Sequence, residues 1–177
     1  MLTDLSSSLR GWAEILAGKA DAGRNFRLDY PGLVIAIGWF VAAVLLSVAA
    51  QSMVIGIPSL NSFFLGLVAQ AVTVGALGFV MAQTLKFLKL DVPLNRLLVP
   101  TLYALAYMFL FAIPLTLISP SAGLIAVLAV GFLIFRAAGQ LAGMPTGLAV
   151  AFALLCVIVL VVVPNALYIL FLQIPSA

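Results

Sequence analysis

Long runs of apolar residues alternate with short polar connections along most of the chain, after a polar opening segment at residues 1–30. The runs are continuous, whereas membrane-barrel strands alternate apolar and polar positions, so helices are favoured. About 20 helical residues cross the ~30 Å hydrocarbon core of a bilayer. The pattern predicts an all-α, polytopic membrane helix bundle of five transmembrane spans within residues 31–177, at 33–53, 63–85, 97–118, 122–140 and 147–172.

Composition supports lipid as the main solvent of this chain. Hydrophobic residues make up 66% of the sequence and charged residues 7%, against about 25% charged in soluble domains. The single cysteine, Cys156, excludes an intrachain disulfide and is predicted to pack as a small apolar residue. Histidine is absent from the sequence, which removes the commonest metal ligand and the commonest general base. We therefore predict no metal or other cofactor.

The basic residues indicate how the protein is oriented. Four precede the first span, three lie between the second and third spans, and one lies near the end of the fourth. The remaining connections carry no charge, so the positive-inside rule predicts a cytoplasmic N-terminus and an outward C-terminus. The net charge of +3 is thus interpreted as membrane topology, and no nucleic-acid partner is predicted. Six of these residues are candidate contacts for lipid headgroups, the alternative being topology alone: Arg24, Arg27, Lys86, Lys89, Arg96 and Arg136.

The opening segment contains an amphipathic pattern. Large apolar residues recur every three or four positions, which places them on one arc of a helix. We predict a short helix in the cytoplasmic interface of the membrane, with the tryptophan at headgroup depth. The alternative is a helix docked in an apolar groove of a partner protein. The predicted interfacial anchors are Leu5, Leu9, Trp12 and Leu16.

Small residues at helical spacing mark two candidate packing seams, since membrane helices associate closely where side chains are small. A homodimer face is the alternative interpretation. The second span carries Ala71, Gly75, Gly78 and Ala82, and the fifth carries Gly147 and Ala151.

Prolines and tyrosines are the other notable features inside the spans. Pro114 and Pro164 are predicted to bend the third and fifth spans, as structural kinks. Tyr103 and Tyr107 lie one turn apart and are predicted to hydrogen-bond across helices. No Asp or Glu lies within a predicted span, and the sequence contains no recognisable catalytic motif.

The layout resembles the Yip1 superfamily of five-span membrane proteins over roughly residues 30–172. The likeness depends on the span spacing, the Arg136-to-Gly147 connection, the opening stretch Leu9–Leu33, and a third span that carries Pro100, Tyr103, Tyr107 and Pro114. It implies a non-enzymatic, membrane-shaping or accessory protein of the bacterial cytoplasmic membrane. GTPase binding, which eukaryotic members perform, is not implied, because the segment at 1–30 is short and residues 29–32 do not match their motif.

The leading functional hypothesis from sequence is a scaffold, accessory subunit or lipid-organising protein. Its predicted partners are membrane lipids, together with a partner protein or further copies of the same chain. A small oligomeric transporter or channel built on the bent spans is the first alternative. A lipid-modifying membrane enzyme is the second.

Overall fold

The computed structural model describes residues 2–19, 22–119 and 122–172, and its regular elements in these ranges are all helical. The uncharged tail at 173–177 lies outside the described residues. A 3₁₀ turn at Ala22–Asn25 connects the first two α-helices. The α-helices are α1 (Leu2–Leu16), α2 (Tyr30–Ile55), α3 (Leu60–Phe87), α4 (Asn95–Ile118), α5 (Ala122–Leu141) and α6 (Thr146–Leu172).

Each predicted apolar run lies within one of the helices α2 to α6. Four stretches are long and apolar enough to cross a membrane, namely Tyr30–Met53, Leu60–Phe87, Ala122–Leu141 and Thr146–Phe171. In α4 the apolar stretch with described side chains is shorter, Asn95–Phe111, although the helix itself has 24 residues. The protein is therefore an integral membrane protein with a helical-bundle fold.

Local signals explain where α2 begins. Asp29 is its N-cap, and the carboxylate Oδ1 accepts a hydrogen bond of 2.8 Å from the Gly32 backbone N–H. Pro31 occupies the first turn, where its missing N–H has no consequence. Gly32 is required because a Cβ there would lie 1.8 Å from the Arg27 carbonyl oxygen. These contacts set the angle at which the chain enters the membrane.

The bundle is an open arc of five helices. Helix α2 packs on α4, α4 on α5, α5 on α6, and α6 on α3. Although α2 and α3 are joined by residues 56–59 alone, they make almost no contact with each other. Helix α3 approaches α4 only briefly, where the Gly78 position lies 3.8 Å from a Leu98 methyl group. A seam between α2 and α3 is therefore left open.

The two ends of the bundle differ in charge and in packing. The basic end holds the N-termini of α2 and α4 and the C-termini of α3 and α5, and all eight Lys and Arg residues lie on the helices and connections there. The uncharged end holds the C-terminus of α2, the N-terminus of α3 and the C-terminus of α6. Where side chains are described, no residue of 48–70 or 157–171 is buried. The tightly packed core therefore belongs to the basic half of the molecule.

The small-residue seams do not pack within the bundle at most of their predicted positions, and the alternative of a homodimer face stays a prediction. On α3, Ala71 and Gly75 are exposed, Ala82 is half-buried, and the buried face is the neighbouring one, with Thr73, Leu77, Met81 and Leu85. On α6, Gly147 and Ala151 are exposed, whereas Ala149, Phe152, Ala153 and Cys156 are buried. Spacing defines a helix face, but the partner helix decides which face is covered.

Close helix approach occurs at a glycine outside those seams. A Cβ at Gly131 would lie 2.4 Å from Cγ2 of Val157, so α5 and α6 meet there. Cys156, the neighbouring residue of α6, is fully buried, which confirms its predicted packing position. Helix α6 continues through Pro164, and the backbone of α4 continues through residue 114.

Candidate functional site

Helix α1 packs against the sides of α4 and α5 at the basic end. Trp12 is 4% exposed, and its ring meets Phe26 edge to face with centroids 5.7 Å apart. Phe26 in turn lies 6.3 Å from the Tyr103 ring of α4. Gly11 allows this contact, because a Cβ there would lie 2.5 Å from the Phe26 ring. The aromatic side chains therefore close the bundle beneath α1.

The predicted membrane anchor of α1 is corrected by this packing. Trp12 is buried in the protein, so its ring is not available to insert among lipid headgroups. Leu5 packs against the core, while Leu9 and Leu16 remain about half exposed, at 49% and 46%. The apolar face of α1 is wider than the surface that contacts the bundle. Ser8, Trp12 and Ile15 face the bundle, whereas the edge of the apolar face with Leu9 and Leu16 is not covered.

The C-terminus of α1 is held by two side chains of α5. Nη2 of Arg136 donates to the carbonyls of Ile15 and Leu16 at 3.1 and 3.0 Å, and Nε2 of Gln140 donates to the Ile15 carbonyl at 2.6 Å. The last carbonyls of a helix lack intrahelical donors, and a cation beside them complements the helix dipole. Arg136, predicted as a lipid contact, is thus a helix cap. Gln140 was missed by sequence reasoning, although its spacing of four from Arg136 was a usable signal.

The other end of α1 is held by Tyr107 of α4. Its hydroxyl donates to the Leu5 carbonyl at 2.9 Å and shares a 2.5 Å hydrogen bond with the Ser8 hydroxyl. The predicted hydrogen bond across helices is confirmed for Tyr107, with α1 as the partner. Nδ2 of Asn25 also donates to the Glu14 carboxylate, which ties the 3₁₀ turn to α1. Hydrogen bonds consequently tie α1 to α4, to α5 and to the 3₁₀ turn at the basic end.

The remaining candidate headgroup contacts lie exposed around this end. Arg27 forms an exposed salt bridge to Asp29, with Nε and Oδ2 3.2 Å apart. The hydrogen bond from Gly32 N–H, assisted by Arg27, lowers the pKa of the Asp29 carboxyl below its ordinary value of 3.8. That these cations bind headgroups stays a prediction; besides Arg27 they are Arg24, Lys86, Lys89 and Arg96.

The candidate site is a groove in the open seam between α2 and α3, at the uncharged end. Its volume is about 460 Å³, and Phe109 of α4 contributes to its wall. None of its lining residues is charged. Besides apolar and small side chains, the lining contains five hydrogen-bonding side chains: Ser47, Gln51, Ser52, Ser62 and Gln70.

Most hydrogen-bonding groups of this groove (named here the α2–α3 groove) already have partners. Nε2 of Gln51 donates to the Ser47 hydroxyl at 3.2 Å, and Ser52 donates to the Val48 carbonyl at 2.8 Å. Gln70 differs, because its side-chain amide makes no hydrogen bond with any described residue. An amide without a partner is costly at membrane depth. Gln70 is therefore the residue of this groove that most requires a ligand.

Gln70 also borders a small cavity at the centre of the bundle. This cavity holds about 70 Å³, and all five helices from α2 to α6 contribute side chains to it. The Thr73 hydroxyl, one turn along α3, is occupied by a 2.7 Å bond to the Ala69 carbonyl. Phe109 is shared with the α2–α3 groove. The groove therefore reaches inward as far as Gln70 and Phe109.

A second cleft lies on the other side of α3, against α6. Its volume is about 330 Å³, with Pro164 and Tyr168 of α6 on one wall. Ser62 and Gly66 of α3 line both this cleft and the α2–α3 groove. The N-terminal half of α3 thus has open space on two sides.

Sequence reasoning noted Gln70 as a polar residue within a span but did not predict a groove. The available signal was the pair Ser47 and Gln51, four residues apart near the end of the first span. Whether such residues face lipid, protein or a cavity depends on the neighbouring helix. Among the residues that the structure describes, no cluster of three or more His, Cys, Asp or Glu side chains has the arrangement of a metal site.

Comparison of the chain with protein families, with curated proteins and with solved structures gives no match. The geometry of the α2–α3 groove and of the docked helix α1 is therefore the basis for assigning a function.

Proposed function

We propose that this protein is a non-enzymatic, lipid-organising protein of the bacterial cytoplasmic membrane, with five spans and its basic end in the cytoplasm. The observation that carries this proposal is the open seam between α2 and α3. Adjacent membrane helices ordinarily gain stability by packing together. A seam left open within hydrocarbon is accessible to lipid, which supports a lipid-organising role.

The five-span topology is supported by the helix lengths. Helix α4 has 24 residues, which corresponds to about 36 Å at ~1.5 Å per residue and exceeds the ~30 Å hydrocarbon core. With α4 as a span, every Lys and Arg falls on the helices and connections of one end. That distribution favours a cytoplasmic N-terminus.

A membrane-shaping role of the Yip1-like kind is supported by the edge of α1. Leu9 and Leu16 are half exposed beside the exposed cations of the basic end. Such an edge is suited to shallow insertion among headgroups, with the cations near anionic lipid. Because α1 is capped by Arg136, its insertion would be transmitted directly to the bundle.

An accessory role beside a partner helix is supported by the exposed small residues. Gly75 of α3 and Gly147 of α6 have nothing within 4 Å of an added Cβ. Open positions of this kind allow another membrane helix to approach closely. Lipid organisation and accessory function are compatible, since they use different faces of the bundle.

The first test is the composition of particles that a lipid-retaining polymer releases from native membranes. We expect particles whose lipid composition differs from that of the bulk membrane, measured by mass spectrometry with an unrelated membrane protein as control. A stoichiometric second protein would identify the chain as a subunit. Turnover of a lipid substrate, or solute flux in vesicles by the purified protein alone, would contradict the proposal.

Topology is tested by cysteine labelling in intact cells. Cys156 is buried, so Ile57→Cys, which is 91% exposed at the uncharged end, gives a single accessible thiol. We expect a membrane-impermeant reagent to label it from outside, and to label Lys89→Cys only after permeabilisation. Labelling of both positions from outside would contradict the orientation.

A further inference from the structure

We infer that the α2–α3 groove binds one diacyl lipid whose headgroup is uncharged and forms hydrogen bonds. This inference rests on the proposed lipid-organising function and names the ligand class of that same groove. Its basis is the shape of the groove, the absence of charge in its lining, and the unpartnered Gln70 amide.

The shape of the groove favours hydrocarbon chains over a protein helix. The groove follows α2 from Val44 to Ser52, continues along the connection at 56–58, and follows α3 from Ser62 to Gln70, so it is at least about 12 Å long at 1.5 Å per residue. Its volume of about 460 Å³ then gives a cross-section of at most about 40 Å². A helix about 10 Å wide requires roughly 80 Å². An extended hydrocarbon chain with contact distances near 4 Å requires roughly 20 Å², so an acyl chain fits in the groove.

The lining determines which headgroup is suitable. The polar side chains near the mouth are hydroxyls and an amide, namely Ser52, Ser62 and Gln51. All Lys and Arg residues lie on the helices and connections of the opposite end, so no cation of the chain is placed to neutralise an anionic headgroup here. Hydroxyl and ester groups match this lining, whereas an isolated phosphate would lose its hydration without compensation.

Gln70 supplies the contact that distinguishes a ligand from bulk lipid. It lies two turns below Ser62 on α3, where an ester carbonyl can accept from its amide. A partner at this depth removes the cost of an unpaired amide in hydrocarbon. Val48 and Leu67 lie between the mouth and Gln70, and together with Val44 they provide apolar contact for the lipid along the groove.

The test uses the full chain in phosphatidylcholine vesicles that contain a diacylglycerol with a photoreactive diazirine in one acyl chain. We expect cross-links to map to residues 44–70, and unlabelled diacylglycerol to compete with the probe while phosphatidylglycerol does not. Cross-links spread evenly over the lipid-facing helices would overturn the inference. So would equal competition by both lipids, since the lining would then not select an uncharged headgroup.

Two pairs of variants separate binding at this groove from general effects on the bundle. Gly66→Leu fills the groove, and Gly75→Leu adds the same side chain to α3 outside it; a Cβ at either position meets nothing within 4 Å. We expect labelling to fall about tenfold for Gly66→Leu and to stay unchanged for Gly75→Leu. Equal labelling of the two variants would overturn the proposed site.

The second pair tests the amide. We expect Gln70→Leu to weaken the preference for diacylglycerol several-fold, while Gln83→Leu, an exposed glutamine of the same helix, leaves it unchanged. A preference retained in Gln70→Leu would overturn the assigned contact.

The two proposals fail in distinguishable ways. Lipid-enriched native particles without selective labelling of residues 44–70 would leave the lipid-organising function standing and remove this site. Catalytic turnover or solute flux by the purified protein would remove the proposed function even if the groove were labelled. A disulfide formed between copies through Gly66→Cys would show a second chain in the groove and overturn the lipid assignment.

Discussion

The two ends of this bundle are packed differently. At the basic end, α1 covers α4 and α5, and a series of aromatic rings from Trp12 to Tyr103 closes the space beneath it. At the uncharged end, α2 and α3 diverge and leave the α2–α3 groove. The difference shows that close packing and open space are found in separate halves of one small membrane protein.

A matched pair of phenylalanines should show the largest difference between the ends. Phe26→Ala, at a side chain 5% exposed, should cost about 3–5 kcal/mol of stability through the cavity it leaves. Phe64→Ala, at a side chain 56% exposed at the uncharged end, should cost about 1 kcal/mol or less. Thermal unfolding in lipid nanodiscs measures both. Equal losses would show that the uncharged end is packed as tightly as the basic end.

The cap on α1 should have the next largest effect. Arg136→Leu removes two charge-assisted hydrogen bonds to carbonyls, each worth about 1.5–3 kcal/mol at most, and should release α1 from α5. Limited proteolysis should then cut within residues 1–30 faster than in the parent. Arg96→Leu, which replaces an exposed arginine of the same end, is the control. Unchanged cleavage would mean that the aromatic contacts alone hold α1.

Two glycines of α2 test whether the close contact before this helix fixes the position at which the chain enters the bundle. Gly32→Ala should cost about 1–3 kcal/mol, because its Cβ would meet the Arg27 carbonyl oxygen at 1.8 Å. Gly38→Ala, where a Cβ meets nothing within 4 Å, should leave stability unchanged or raise it by up to about 1 kcal/mol. Thermal unfolding of both variants provides the comparison. Tolerance of Gly32→Ala would show that the connection before α2 is able to shift.

The smallest expected effect is a pH dependence at Asp29. Because the hydrogen bond from Gly32 holds the folded-state pKa below its ordinary value, this carboxylate stabilises the fold above that value. The contribution is lost as the pH falls through the lowered pKa. The melting temperature of Asp29→Asn should therefore fall less steeply than that of the parent protein between about pH 5 and about pH 2. A parallel decline in both proteins would assign the acid sensitivity to other carboxyls.

Sequence reasoning was accurate for elements that depend on local pattern. The predicted apolar runs each fall inside one helix, and the helices α1 and α2 begin and end close to where the pattern indicates. Asp29 and Pro31 explain the start of α2 through contacts within a few residues. Such features are accessible from sequence because lipid requires each backbone segment to satisfy its own hydrogen bonds.

The faces of those helices were predicted less well. Trp12 was assigned to the membrane interface and is buried in protein, while Ala71 and Gly147 were assigned to packing seams and are exposed. In a membrane, both lipid and protein neighbours are apolar, so hydrophobicity does not distinguish a covered face from a lipid-facing one. Only the positions of the neighbouring helices make that distinction.

The sequence by itself determined that this is a helical membrane protein, where its helices lie, and that its charge is concentrated on one set of connections. The tertiary structure decided that Arg136 caps α1, that α2 and α3 stay apart, and that Gln70 borders an open groove. The physical reason is the separation along the chain of the residues whose contacts decide each feature. Helix formation in lipid depends on hydrogen bonds four residues apart, whereas a groove depends on contacts between helices that are distant in sequence or, as with α2 and α3, on contacts that are not made.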